Sequence, residues 1–251
     1  MKLHHPFSVS QQIYLKKSTS TNDYSIEWSS NNNPNSNICV YTYNQTDGRG
    51  QIGRFWYSGE YKNLAMTLLL TNLQINVKDQ FLLNKTVCLA VFELIKKYIK
   101  EGTISIKWPN DIYVDNEKIA GILIQNQLRS EKIHRTIIGI GLNVNENAFP
   151  KEIPNPSSIF QKTNDTNNLF RIKNELLRSV LLKLNNLHFA KKEIEKSYQN
   201  NLFRKDIKSH FEIEGIKKEG TILGVSDHGK LIIIIDGIEQ QFAFRELNYI
   251  I

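Results

Sequence analysis

Four extended segments, at residues 103–107, 111–114, 118–127 and 133–144, constrain the fold more than anything else in the sequence. They are rich in β-branched and aliphatic residues. Polar turns at Asp115-Asn116 and Arg129-Ser130-Glu131 separate them. Residues 38–43 (ICVYTY) and 63–71 (NLAMTLLLT) add two more core strands. Residues 79–100 carry apolar side chains at Phe81, Leu82, Val87, Val91, Leu94, Ile95 and Tyr98, which is helical spacing. Asp79 takes the N-cap position there and Gly102 falls just past the end. A second, long helical region covers 168–201, with Leu169, Ile172, Leu176, Leu177, Val180, Leu181 and Leu184 as its apolar stripe. The expected class is α+β, with helices packed on a sheet.

The tail changes character. Residues 212–251 read as short strands with turn signals at Glu219-Gly220, Asp227-His228-Gly229 and Asp236-Gly237, a pattern that suggests a small barrel. A boundary near Lys208 divides the chain into 1–207 and 208–251. An Asn/Ser-rich surface loop is expected at 29–37.

Composition narrows the function classes. Of 251 residues, 40% are hydrophobic and 23% charged, ordinary for a soluble globular protein. The first twelve residues show no apolar h-region, and no stretch approaches the roughly 20 apolar residues that span a bilayer. A cytoplasmic protein without a membrane partner is the expectation. Cys39 and Cys88 sit in apolar contexts and read as small buried hydrophobes. No metal-ligand spacing appears, so neither a zinc site nor a redox cofactor is expected. The net charge of +7 would suit a polyanion, but the lysines are scattered and many belong to solvated faces.

Four segments carry chemistry. Gly48-Arg49-Gly50-Gln51-Ile52-Gly53-Arg54, followed by Phe55-Trp56, joins glycines that let backbone approach an anion to arginines that fork around phosphate or carboxylate. It lacks the Gly-Lys-Ser/Thr of a Walker loop. Lys107-Trp108-Pro109-Asn110-Asp111 ends a strand in a rigid corner presenting amide and carboxylate, or is a turn capping its own backbone. Lys118 opens an apolar strand, KIAGILI, where it either snorkels or, close to Arg49, neutralises charge on a carboxylate and a phosphate. In residues 137–145 (IIGIGLNVN) two strand glycines indicate close packing against the backbone, with Asn143 facing a ligand or satisfied in the core.

Together Ser20-Thr21-Asn22, Gln45 with GRGQIGRFW, KWPND, KIAGIL and GIGLNVN resemble bacterial biotin–protein ligases in order and approximate spacing. The resemblance covers nearly the whole chain. It implies a mixed-sheet catalytic domain of the class II synthetase-like, biotin–lipoate ligase-like type with a C-terminal SH3-like β-barrel. It also implies a two-step reaction: biotin and Mg²⁺-bound ATP give biotinyl-5′-AMP, and a lysine of a biotin carboxyl carrier protein then takes the biotin. Lys118 and Arg49 would be catalytic. Ser20, Thr21, Asn22, Gln45, Gly48, Arg49, Gly50, Gln51, Lys118 and Gly121 would bind biotin. Arg49, Arg54, Trp56, Asn110, Asp111, Lys118 and Asn143 would shape the adenylate site.

One departure concerns the glycine–arginine segment. Many family members have arginine where this chain has Gln51, and often a second basic residue where it has Ile52. Gln51 adds no charge, which weakens the case for adenylate retention. About a dozen residues precede the catalytic segment, too few for a DNA-binding helix-turn-helix module, so the monofunctional type and no DNA are expected. An exposed sheet edge would allow a homodimer. The competing reading on the same scaffold is a lipoate or other acyl–carrier ligase or transferase.

Overall fold

The computed structural model describes residues 7–32, 35–51, 53–71, 73 and 75–251. Its centre is a seven-stranded mixed sheet in the order β1-β2-β5-β9-β8-β7-β6. The strands are β1 (Gln11–Leu15), β2 (Ile38–Thr42), β5 (Leu64–Thr71), β6 (Ile104–Lys107), β7 (Asp111–Val114), β8 (Glu117–Arg129) and β9 (Lys132–Leu142). All neighbours are antiparallel except the edge pair β1–β2. Strand β5 reads LAMTLLLT with every residue buried, which places it between two covered faces. The remaining strands of this half, β3 (Gly48–Arg49) and β4 (Phe55–Trp56), form a separate two-stranded hairpin.

Helix α2 (Gln80–Tyr98) covers one face, burying Leu83, Val87, Cys88, Val91, Leu94 and Ile95 in the main core. Each such side chain contributes about 1.5–3 kcal/mol by leaving water. On the other face α1 (Thr21–Asn31) sets Tyr24 and Trp28 against Ile38, Val40, Leu69 and Ile137. Both cysteines are free and buried, and burial pushes the Cys39 thiol up to about 12.

Several expected elements differ in detail. The helical region at 168–201 is two helices, α4 (Leu169–Asn186) and α5 (Lys191–Asn200), following the short α3 (Ile159–Thr163). The chain turns at 187–190 because Ile194 and Tyr198 must also reach the core. Asp79 holds the N-cap position of α2 without a side-chain cap bond, since its carboxylate pairs with Lys191 at 2.8 Å. Gly102 lies beyond the helix in a turn, at φ +87°. The Asn/Ser-rich stretch begins inside α1, which runs to Asn31; residues 33 and 34 fall outside the described residues.

The tail forms a five-stranded antiparallel sheet, β13-β12-β11-β10-β14. Its strands are β10 (Lys208–Ile213), β11 (Ile216–Val225), β12 (Leu231–Ile235), β13 (Ile238–Phe242) and β14 (Asn248–Tyr249). Turns occur at Asp227–Gly229 and Asp236-Gly237, but Glu219-Gly220 lies inside β11. Gly220 is needed there because a Cβ would come within 2.9 Å of the Ile234 carbonyl. The first turn is instead Glu214-Gly215, both at positive φ.

Candidate active site

Cross-strand register builds the floor of a cavity of about 760 Å³. Ala65 opposes Gly141, Gly141 opposes Gly121, Gly121 opposes Asp111 and Asp111 opposes Lys107. Directly opposed residues share a face, so these five form one rung across β5, β9, β8, β7 and β6, and all five line the cavity. Two residues along, Thr67, Gly139 and Leu123 form a second rung on the same face.

Over the second rung stands the N-terminus of α1. Ser20 is its N-cap, its hydroxyl accepting from the Asp23 amide at 3.3 Å. Thr21 donates its amide (2.9 Å) and hydroxyl (3.2 Å) to Gln45 Oε1. Buried Thr67 has its Oγ1 2.6 Å from Asn22 Oδ1 and 2.8 Å from Thr21 Oγ1. Gly139 lacks a Cβ because Asn22 occupies that space, within 2.5 Å of where the atom would be. Ser20, Thr21, Asn22 and Gln45 thus meet at one uncharged, polar end of the cavity.

On the floor rung the indole of Trp56 covers the place where a Cβ on Gly121 or Gly141 would stand. The strand glycines therefore do mark a close approach, and in this structure a protein side chain makes it. Trp56 Nε1 and Asn143 Oδ1 are buried without a hydrogen-bond partner. Asn143 donates its amide to the Ser157 carbonyl at 2.9 Å, which fixes the side chain at the cavity wall. Asn110 similarly donates to the Ile122 carbonyl.

The cations lie beyond. Lys118 Nζ is 2.7 Å from Asp111 Oδ1 and 5.4 Å from the Trp56 ring centroid. Arg49 reaches outward to Asp23 at 3.1 Å, with 62% of its side chain exposed. The hairpin β3–β4 carries it, and Gly50, Gln51 and Arg54 line the cavity beside it. Ile52 is outside the described residues. Gly48 stands behind the wall: a Cβ there would strike the Trp56 carbonyl.

Of the residues singled out from sequence, all but Gly48 line this one cavity. Sequence reasoning missed Thr67, whose spacing signal is only that of a core strand. It also missed Lys107 within KWPND, and the tail residues Phe244, Arg245, Leu247, Asn248 and Tyr249 that close one side. The KWPND corner itself is held from behind. Asn84 Nδ2 (2.9 Å) and the Tyr198 hydroxyl (3.2 Å) donate to the Pro109 carbonyl, and Trp108 Nε1 donates to that of Gly229 at 2.9 Å.

Fold and site define an α+β protein whose central sheet floors a cavity lined by uncharged polar groups at one end and by cations at the other. The chain belongs to the Biotin/lipoate A/B protein ligase family, whose profile matches residues 13–143. It is 36% identical over 144 residues to the Bifunctional ligase/repressor BirA of Bacillus subtilis, covering 56% of this chain and 43% of that one. It is 23% identical over 204 residues to the Biotin–[acetyl-CoA-carboxylase] ligase of Mycobacterium tuberculosis, covering 80% and 74%. The chain thus spans less than half the length of the first curated relative and about three quarters of the second. The structure of biotin protein ligase from Aquifex aeolicus in complex with biotin and ATP superposes with a TM-score of 0.77 at 25% identity, covering 96% of this chain and 99% of that one.

Proposed function

We propose that the protein is an ATP-dependent biotin–protein ligase. The carrying observation is the single cavity that joins an uncharged hydrogen-bonding end to a cationic one across a floor of small residues. Ser20, Thr21, Asn22 and Gln45 suit the polar ring of biotin, and Gly121 gives the Trp56 ring its seat on the floor. Lys118, joined by Arg49 once it leaves Asp23, would meet the biotin carboxylate and the α-phosphate, with the Gly50 and Gln51 backbone beside them. Trp56, Arg54, Asn110, Asp111 and Asn143 frame the adenylate, and the unpartnered Asn143 Oδ1 offers it an acceptor.

The carboxylate oxygen attacks the α-phosphorus, the bond to the leaving pyrophosphate breaks, and Lys118 stabilises the charge that builds between them. Asp111 orients that lysine. In the second step the carrier lysine nitrogen attacks the acyl carbon and AMP leaves. Mg²⁺ would enter with ATP, held mainly by phosphate oxygens and water.

Residues 1–207 would form the catalytic unit and 208–251 an SH3-like barrel that lends one wall of the cavity. The acceptor is a biotin carboxyl carrier domain, the compartment the cytoplasm, and edge strand β1 a homodimer contact. The test is incubation with biotin, Mg-ATP and a carrier domain. A biotinylated lysine and AMP are expected; pyrophosphate release that does not depend on biotin would overturn the reading. Competition between biotin and lipoate separates this reading from the lipoate alternative.

A further inference from the structure

The floor rung changes charge from strand to strand. Ala65, Gly141 and Gly121 carry none; Asp111 and Lys107, on the next two strands, carry one each. Strands lie about 4.8 Å apart, so Lys107 stands about 10 Å beyond Gly121 along the cavity. Asp111 is committed to Lys118. Among the described residues no carboxylate lies within ion-pair distance of Lys107, whose ammonium is 4.7 Å from the Tyr249 ring centroid and 5.2 Å from that of Tyr113. Ring faces attract a cation but leave its three N–H donors without conventional acceptors. A half-buried ammonium in that state is costly unless an anion joins it.

We propose that Lys107 is a further substrate-binding residue of the adenylation step: its ammonium holds the diphosphate end of the nucleotide, and Tyr249 of the C-terminal sheet positions it. The inference rests on the functional reading above and adds an order to it. The uncharged ring sits at Thr21 and Gln45, the reacting carboxylate and α-phosphate at Lys118, and the diphosphate one and two strands further on, at Lys107. When the α-phosphorus bond breaks, the electron pair leaves with pyrophosphate, and Lys107 stabilises that charge without transferring a proton. The arrangement also explains why tail residues line the cavity, since Tyr249 supplies one of the two rings.

Lys107's surroundings give the idea a signature. Burial lowers its pKa to about 8; Asp111 acts in the opposite direction, while Lys118, Arg54 and Arg204 add to the lowering. The phenols of Tyr113 and Tyr249 are pushed up and stay neutral. An arriving anion favours the ammonium and raises that pKa. Below about 8 the lysine is charged whether or not the anion is bound. Above it, binding draws in a proton and affinity falls with rising pH.

The probe is inorganic pyrophosphate with Mg²⁺, followed by calorimetry in two buffers of different ionisation heat at pH 7 and pH 8.5. Wild type should take up more proton at pH 8.5 than Lys107→Arg, which stays charged, binds pyrophosphate and cancels the proton exchange of pyrophosphate itself. Lys107→Gln should bind about tenfold more weakly at pH 7. Tyr249→Leu removes one of the two ring faces that favour the ammonium without relieving its burial, so it should weaken binding at pH 7 less than Lys107→Gln does and move the uptake midpoint downward. Lys107→Gln with wild-type affinity, or Lys107→Arg with wild-type proton uptake, overturns the proposal. If wild type does not biotinylate a carrier domain, the functional reading fails; if it does and the Lys107 variants match it in these titrations, only this inference fails.

Discussion

At the polar end of the cavity Thr67, Thr21, Asn22 and Gln45 are already joined by hydrogen bonds, whereas at the cationic end Arg49 leans out to Asp23 and Lys107 rests against ring faces with no ion-pair partner among the described residues. The first region rests on a core strand and a helix start; the second includes a hairpin with two residues per strand. On the proposed reading, recognition of an uncharged ring would be preorganised, whereas the anion clamp would have to assemble on its ligand. Preorganised groups contribute to binding directly; groups that must first leave another partner contribute less.

The largest expected effect comes from Lys118→Ala. Lys118 is the cation already in place, held by Asp111, so biotin-dependent pyrophosphate release should fall by about 10²–10³-fold. Its side chain is 29% exposed at a strand start, so the melting temperature should hardly move. Normal turnover in this variant would mean that the cationic end works without Lys118.

Thr67→Val tests the other end and comes next in size. The shapes match, but Asn22 Oδ1 loses its donor in a buried place, at a cost of about 1–3 kcal/mol. Biotin affinity should drop about tenfold, the KM for ATP staying as it was. An equal loss for ATP would erase the distinction between the two ends.

Arg49→Ala should do less, about fivefold, because the wild-type arginine must break its contact with Asp23 before it contributes. Biotin and adenylate binding should weaken together, read by titration with each. An unchanged biotin affinity would place Arg49 outside the cavity.

The same contrast explains what the sequence made legible. Motif spacing brought KWPND, KIAGIL and GIGLNVN to one place because β6 to β9 are consecutive in chain and near neighbours in the sheet. The rung from Ala65 to Lys107 was not legible, since register depends on bulges at Ile112/Tyr113 and Gln127/Leu128 that leave no local signal. Helix α1 was missed for a similar reason: TNDYSIEWSSN has no clear apolar stripe, and its start is fixed by the distant Gln45 and Thr67. The break between α4 and α5 carries no proline or glycine; packing on α2, at long range, decides it.

The smallest effect concerns the hairpin that carries Arg49. Between Asp47 and Phe55 its described internal backbone bonds are few: Gly50 to Arg54 at 2.9 Å, Arg54 to Gln51 at 2.8 Å, and the short β3–β4 ladder. Such a segment opens at little cost, so its amides should exchange fast in the free protein. Biotin should slow them as Arg49 leaves Asp23 and turns inward, while amides of β5 around Thr67 stay unchanged. Gln51→Arg should slow them further once adenylate forms, by adding a cation where this chain has none. Equal exchange with and without biotin would show that the hairpin is as preorganised as the polar end, and the contrast between the two would then rest on Lys107 alone.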